Sequence, residues 1–384
     1  MARSTELPIW ARWGSAAAER PWTVGVEDEL VLLDPHDWSA ANQGDDVQAV
    51  LPARLAAQVS NETHACVLEL KSSPHETVAQ VASELATMRE RLGAALYDEL
   101  GARCAAAGTH PLAVASDIAL SSSERYRKIG STMRALAHRE PTMALHVHVA
   151  VPDPSSAVRA LDGLRAELPL LLALSANSPF WRGVDSGFAS IRTPIMSMFP
   201  RVGIPQRFGS YGRFVDVVET LIRSGAIPEV GFLWWDARLQ PRLGTLEIRV
   251  TDAQTRIADV AAIAAVVQCL VRHYANNPSS NDLEPEVVAE NRFLAARDGL
   301  RARLIDSSSG LRRPAIDSLA ELLEGCRPYA AALGCSSELL AASALAQDPG
   351  DVRQRRIAAE KGLAMLPAEL AAEFAGSSEP IAAV

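Results

Sequence analysis

Four short segments of the 384-residue chain place acids and histidines at alternate positions. In Val24–Leu33 (VGVEDELVLL), Glu27 and Glu29 fall on one face of an extended strand, and Val24, Val26, Leu30 and Leu32 on the other. In residues 66–71, Glu69 projects opposite Leu68 and Leu70. In 145–149 (LHVHV), His146 and His148 share a face. In 243–252 (LGTLEIRVTD), Thr245, Glu247, Arg249 and Thr251 lie opposite Leu246, Ile248 and Val250. Any half-exposed sheet alternates in this way, so one such strand carries no chemical message. Four glutamates and two histidines on the wet faces of four strands do. Glu27 and Glu29 stand about 7 Å apart at ~3.3 Å per residue. Joined by Glu69 and Glu247, they would repel one another and rise in pKa unless a cation sat among them.

Hard carboxylate oxygens in that number suit Mg²⁺ or Mn²⁺, and a histidine among them is compatible with Mn²⁺ and tolerable for Mg²⁺. Zinc is less suggested, because H-E-x-x-H and paired-cysteine spacings are absent. Carboxylate-bound Mg²⁺ commonly completes its shell with phosphate oxygens. No G-x-x-x-x-G-K-[ST], G-x-G-x-x-G or G-x-S-x-G occurs, which argues against a P-loop, a dinucleotide fold and a serine hydrolase. ATP on an open sheet, with metals on its phosphates and arginines around the transferred group, fits what remains. Arg249 is placed to meet a phosphoryl oxygen, or equally to pair with a neighbouring glutamate.

The elements that must hold these residues are legible in outline. Residues 79–107 read as one long helix between Pro74 and Gly108, with Leu85, Met88, Leu92, Leu96 and Leu100 on one stripe. Residues 157–176 read as helix with a new segment starting at Pro169, residues 257–274 as a third helix, and the chain after Glu286 as almost wholly helical. Residues 179–214 read as a loop. Helices covering the apolar face of an antiparallel sheet make an α+β fold, with a polar catalytic face left open. No repeat or linker divides the chain, so residues 1–384 are expected to form a single catalytic domain with a frayed tail over 375–384.

Composition narrows the function classes. Hydrophobic residues make up 48% and charged residues 22%, a globular balance. With 37 Lys+Arg against 46 Asp+Glu the net charge is -9, the opposite of what a nucleic-acid binder carries. The apolar runs at 168–176 and 257–271 fall short of the ~20 residues needed to cross a bilayer. MARSTELPIWARW has no basic-then-apolar leader. Five scattered cysteines without a C-x-x-C pair suit reduced thiols and a cytoplasmic protein.

GVEDELVLLD, LHVHVAVPD, LLALSANSPFWRGVDSGFAS and WWDARLQPRLGTLEIRVTDAQ, in that order, resemble the bacterial carboxylate–amine ligases of the type 2 glutamate–cysteine ligase group. The resemblance runs from about residue 22 to residue 356. That group belongs to the glutamine synthetase superfamily, whose catalytic domain is a curved antiparallel sheet lined with metal-binding carboxylates. The resemblance implies that Glu29, Glu62 and Glu69 ligate one metal, and that Glu27, His146 and Glu247 ligate a second that bridges ATP phosphates. It implies a nucleotide-phosphate contact for His148, stabilisation of the transferred phosphoryl by Arg249, and substrate or phosphate binding by Arg192. Glu62 enters by resemblance alone. The chain departs from the group in having Asp28 within Glu27-Asp28-Glu29, and Met196 and Tyr211 where tryptophan is common; the last two bear on the substrate loop.

The expected enzyme is an ATP-dependent carboxylate–amine ligase using two or more Mg²⁺ or Mn²⁺ ions. The resemblance makes its pair glutamate and cysteine, giving γ-glutamylcysteine, ADP and phosphate. Another carboxylate–amine pair, a kinase of a guanidino-type acceptor and a non-enzymatic nucleotide-binding member are the alternatives. Small-molecule partners are expected, with neither nucleic acid nor membrane, and a homo-oligomer only by analogy.

Overall fold

The fold is taken from a computed structural model that describes residues 6–278, 283–306 and 309–376. Most of the expected tail, 377–384, lies outside the described residues. At the centre is a seven-stranded sheet. Its strands are β1 (Val24–Leu33), β2 (Val59–Asn61), β3 (Val67–Lys71), β4 (Arg103–Ala105), β5 (Leu145–Ala150), β6 (Ala237–Gln240) and β7 (Thr245–Ile248). The spatial order is β6-β7-β5-β1-β3-β2, with β4 pairing the far end of β1. Every ladder is antiparallel.

The register brings the sequence's polar positions to one face. Glu29 stands opposite Glu69 and Glu27 opposite Lys71 across β1 and β3. Glu27 faces His146 across β1 and β5, and Glu247 faces His148 across β7 and β5. Because side chains alternate along a strand, one set of pairings fixes the whole row. The other face is apolar, with Val26, Leu30, Leu70, Leu145, Val147 and Leu246 all buried.

Helices cover that second face. α1 (Val78–Leu100) opens on a capping box between Thr77 and Gln80, α2 (Glu124–Met133) lies near the site, and α3 (Pro154–Leu164) is followed by α4 (Leu168–Ser175). α5 (Arg192–Met196) is a short turn, and α6 (Ile257–Asn276) runs through the core, flanked by α7 (Ala315–Leu333) and α8 (Ser336–Gln347). α6 is 20 residues long and apolar enough to cross a membrane, longer than the run read from sequence. Here it is a core helix, 78% of its most apolar window being buried inside the protein.

One expectation holds and two change. The 157–176 stretch divides into two helices as expected, with 165–167 between them and Pro169 in the first turn of α4. The helix expected over 79–107 stops at Leu100, where Gly101 takes φ 63°, a conformation that costs glycine little; residues 103–105 then join the sheet. The 179–214 loop contains α5 and short strands at Phe180–Trp181, Val184–Asp185 and Val202–Gly203. All five cysteines are buried and free of disulfides; the Cys269 and Cys335 sulfurs are 3.9 Å apart.

Candidate active site

The polar face carries three groups of potential metal ligands whose donor atoms lie within 4.8 Å of one another: Glu29–Glu62–Glu69, Glu27–Glu69–His146 and Glu27–His148–Glu247. The first matches the expected set. The second set differs in partition: His148, expected on phosphate, joins Glu27 and Glu247, while His146 sits with Glu27 and Glu69. The register explains the exchange, since β7 puts Glu247 opposite His148.

Each of these side chains is held from behind. Glu29 accepts the Ala144 N–H at 2.6 Å, and Ser60 Oγ donates to Glu69 at 3.1 Å. Glu62 lies in the β2–β3 connection, whose backbone is pinned by Ser121 Oγ on the Glu62 carbonyl and by the Tyr126 hydroxyl on that of Asn61. Glu247 is fully buried. Arg238 grips it through Nε at 3.0 Å and Nη2 at 3.1 Å, Gln240 donates at 2.8 Å, and Arg249 Nη1 closes on Oε1.

The charge pattern divides the face. Burial, and after it the Glu62 charge, pushes Glu29 up to about 8. Burial, then Glu27 and Glu62, raises Glu69 well above the carboxylate range. Burial also works against ionised Glu247, yet Arg238 and Arg249 hold it far below that range. Burial opposes ionised Glu27 as well, but the neighbouring His148 and His146 keep it well below. One end of the row is thus short of positive charge and the other supplied with it.

The residues fit divalent cations. Glu29–Glu62–Glu69 offers only carboxylate oxygens, the donors hard cations take. His148 Nε2 is buried without a hydrogen-bond partner, 3.5 Å from Glu27 Oε1 and 3.8 Å from Glu247 Oε1.

Two cavities flank the row. One of about 330 Å³ is lined by Ala16, Val26, Pro74 and Leu243 and by Arg20, Lys71, Glu27, His148 and Thr245. The other, about 110 Å³, is bounded by Glu29, Glu62, His146, Arg192 and Arg249, and by Ile129, Met196, Phe199 and Trp234. Arg192 donates to the carbonyls of Val250 at 3.1 Å and Arg249 at 3.1 Å, and its Nε is buried without a partner. Met196 lines this cavity. Tyr211 does not: it is buried against Trp13 and Phe214, with its hydroxyl on the Ala11 carbonyl at 2.6 Å.

The profile of glutamate–cysteine ligase family 2 matches residues 23–373, and so spans the sheet, the smaller cavity, most of the larger one and the covering helices. The chain belongs to glutamate–cysteine ligase family 2. Among curated members, the Rubrobacter xylanophilus protein provisionally named glutamate–cysteine ligase 2-1 is 38% identical over 359 residues, covering 93% of this chain and 94% of its own. A Rhodospirillum rubrum protein provisionally named glutamate–cysteine ligase 2 is 36% identical over 333 residues, covering 84% and 85%. Among solved structures, the glutamate–cysteine ligase of Francisella tularensis in complex with AMP superposes with a TM-score of 0.67 at 12% identity, over 92% of this chain and 89% of its own. A bifunctional glutathione synthetase from Pasteurella multocida gives 0.65 at 13%, over 92% and 52%. These two likenesses establish the α+β ligase fold. As a member of family 2, the chain is an ATP-dependent carboxylate–amine ligase.

Sequence reasoning missed Arg238, Gln240 and Lys71, all on the polar face of the sheet. The alternation Ala237-Arg238-Leu239-Gln240 carried the signal for the first two, since Arg238 lies opposite Glu247 in the ladder. Lys71, two residues after Glu69, sits 2.7 Å from that carboxylate.

Proposed function

We propose that this ligase joins the γ-carboxyl of glutamate to the amine of cysteine, giving γ-glutamylcysteine, ADP and phosphate. The observation that carries the reading is the row of ligand groups lying between two cavities of different character. The larger has apolar walls for a base, and Lys71, Arg20 and Thr245 toward the phosphates. The smaller holds the carboxylate substrate beside Arg249. Glu29, Glu62 and Glu69 would hold one divalent ion and Glu27, His148 and Glu247 another, with His146 between the sets. When bound, these ions screen the phosphate charge and draw the donor and acceptor oxygens together.

A substrate carboxylate oxygen attacks the γ-phosphorus, the bond to the bridging oxygen breaks and ADP leaves. Arg249 neutralises the transferred group. The amine nitrogen then attacks the acyl carbon, loses a proton and expels phosphate. Arg192 positions Arg249 by holding its carbonyl, and Ile129, Met196, Phe199 and Trp234 keep water from the activated acyl group. The chain works as one catalytic domain, in the cytoplasm where ATP and reduced thiols are supplied.

The test is phosphate release from ATP with Mg²⁺ or Mn²⁺, using glutamate alone, cysteine alone and the pair, with the product identified by mass. Coupled release needing both amino acids is expected. Release with a different acid and amine would overturn the pair and keep the chemistry; a stable phosphorylated acceptor with no amine requirement would overturn the ligase reading.

A further inference from the structure

Arg238 serves two masters. Its Nε and Nη2 bind both oxygens of Glu247, while Nη1 donates to the carbonyls of Gly231 at 3.0 Å and Leu233 at 2.8 Å. Those carbonyls belong to a strap, residues 229–235, that walls the smaller cavity. Trp234 in the strap lines that cavity and packs edge-on against Phe199, ring centroids 6.0 Å apart.

The strap is also clasped to the opposite wall. Arg125, on α2, donates to Glu229 Oε1 at 2.6 Å, and its guanidinium lies 5.0 Å from the centre of the Phe232 ring. Ile129, one turn further along α2, lines the cavity from that side. A continuous series of contacts therefore runs from Glu247 through Arg238 to the strap, and through Arg125 to α2, over the mouth of the carboxylate site.

We propose that Arg238 is a positioning residue that couples nucleotide–metal binding at Glu27–His148–Glu247 to closure of the carboxylate cavity by the strap and α2. The inference rests on the assignment of the two cavities under Proposed function. A guanidinium is planar and rigid, so its carboxylate and its two carbonyl partners are fixed about one plane. A cation that takes up a Glu247 oxygen competes with Arg238 for it and tilts that plane. Nη1 carries the tilt to the carbonyls of Gly231 and Leu233, and the clasp passes it to α2. Nucleotide then raises affinity for the carboxylate substrate, and by linkage the carboxylate raises affinity for nucleotide by the same factor. The strap and α2 tighten further over the cavity when a phosphoryl donor is bound, which keeps water from an activated acyl group.

The experiment is amide hydrogen exchange on the full chain with and without Mg²⁺ and a non-hydrolysable ATP analogue, binding being verified by calorimetry. In the wild type, exchange should slow in both 229–235 and 124–133. In Arg238→Lys, which keeps a cation but loses the fork, the analogue should still bind and neither segment respond. Arg125→Ala, on the surface and clear of the ligands, should leave the strap responsive and silence α2. In turnover, the KM for glutamate should fall at least about fivefold as ATP saturates the wild type, and by much less in Arg125→Ala at similar kcat. A bound analogue with no effect on 229–235, or an undiminished α2 response in Arg125→Ala, overturns the coupling. Failure of the analogue to bind the wild type overturns the cavity assignment and the coupling with it. Should Arg238→Lys not fold, Arg125→Ala carries the test alone.

Discussion

Asp28 lies between two glutamates of the site and faces away from it. Its carboxylate is fully buried against Arg89 of α1, Nε to Oδ2 at 2.9 Å. Arg89 also donates to the carbonyls of Thr255 at 2.6 Å and Gln254 at 2.8 Å, and lies 4.2 Å from the centre of the Phe374 ring. One ion pair thus joins the strand that carries Glu27 and Glu29, its covering helix and the segment after β7. Removing one partner strands a buried charge, so Arg89→Met should destabilise by about 3–5 kcal/mol in urea unfolding. Asp28→Leu with Arg89→Met should recover most of that loss; a double variant as unstable as the single would refute the stranded-charge account. At this scale the polar face of the sheet was largely legible. Glu27, Glu29, Glu69, His146, His148 and Glu247 announce themselves because a strand's period of two exposes every second residue. Glu62 does not, since it sits in a connection without a period. The exchange of His146 and His148 between ligand groups was hidden too, because it depends on which strand lies beside β5.

The same limit explains the elements. The helix rising to Leu100 was plain from its leucine stripe, but its end was set by the backbone conformation of Gly101, which composition does not show. LSANSPFW, distinctive enough to mark the family, is scaffold rather than chemistry. Asn177 binds the carbonyl of Ala253 at 2.8 Å and Ser178 Oγ binds Asp252 at 2.6 Å, while Gln354 reaches both oxygens of Asn177. A side chain on Gly350 would meet Asn177 Oδ1 at 2.3 Å, so the close approach of the helix Gly350–Lys361 to the segment after α4 needs glycine there. Residues 108–113 show a comparable lock. His110 Nδ1 accepts the N–H groups of Leu112 and Ala113 at 3.1 and 3.0 Å, so its Nε2 carries the proton and donates to the Trp38 carbonyl at 2.9 Å. Burial, outweighing nearby Asp37, holds His110 below the ordinary histidine value. The unfolded chain then binds the proton at a higher pH than the folded one. Stability from this residue is complete above pH ~6.5 and is lost as pH falls below it. Unfolding free energies at pH 7.5 and 5.5 should show that loss, and His110→Gln should flatten the slope between them; an unchanged slope would place the acid sensitivity elsewhere.

Over the whole molecule, the net charge of -9 is distributed unevenly. Glu27, Glu29, Glu62, Glu69 and Glu247 converge on one face of the sheet, and two divalent ions would bring +4 against their formal -5. Arginine answers the charge of Glu247, and His146 and His148 that of Glu27. Lys71 sits against Glu69, and on the Glu29–Glu62 side burial and the Glu62 charge outweigh the pull of Arg192 and Arg249 on Glu29. Cation binding there must therefore stabilise the fold, because the unfolded chain scatters the three carboxylates and has no matching site. At a concentration 100 times its Kd, Mg²⁺ or Mn²⁺ should raise stability by about 2.7 kcal/mol, read as a rise in Tm that Na⁺ at equal ionic strength does not reproduce. Glu29→Gln keeps an oxygen for the Ala144 N–H and removes one ionisable group from the crowd. Without metal its Tm should equal or exceed that of the wild type, and with Mg²⁺ it should gain much less. A full Mg²⁺ response in Glu29→Gln, or none in the wild type, would sink the placement of a cation among Glu29, Glu62 and Glu69. On the function proposed above, the acidity that argues against nucleic acid is what would let this face of a net-negative protein hold a polyphosphate through bound cations.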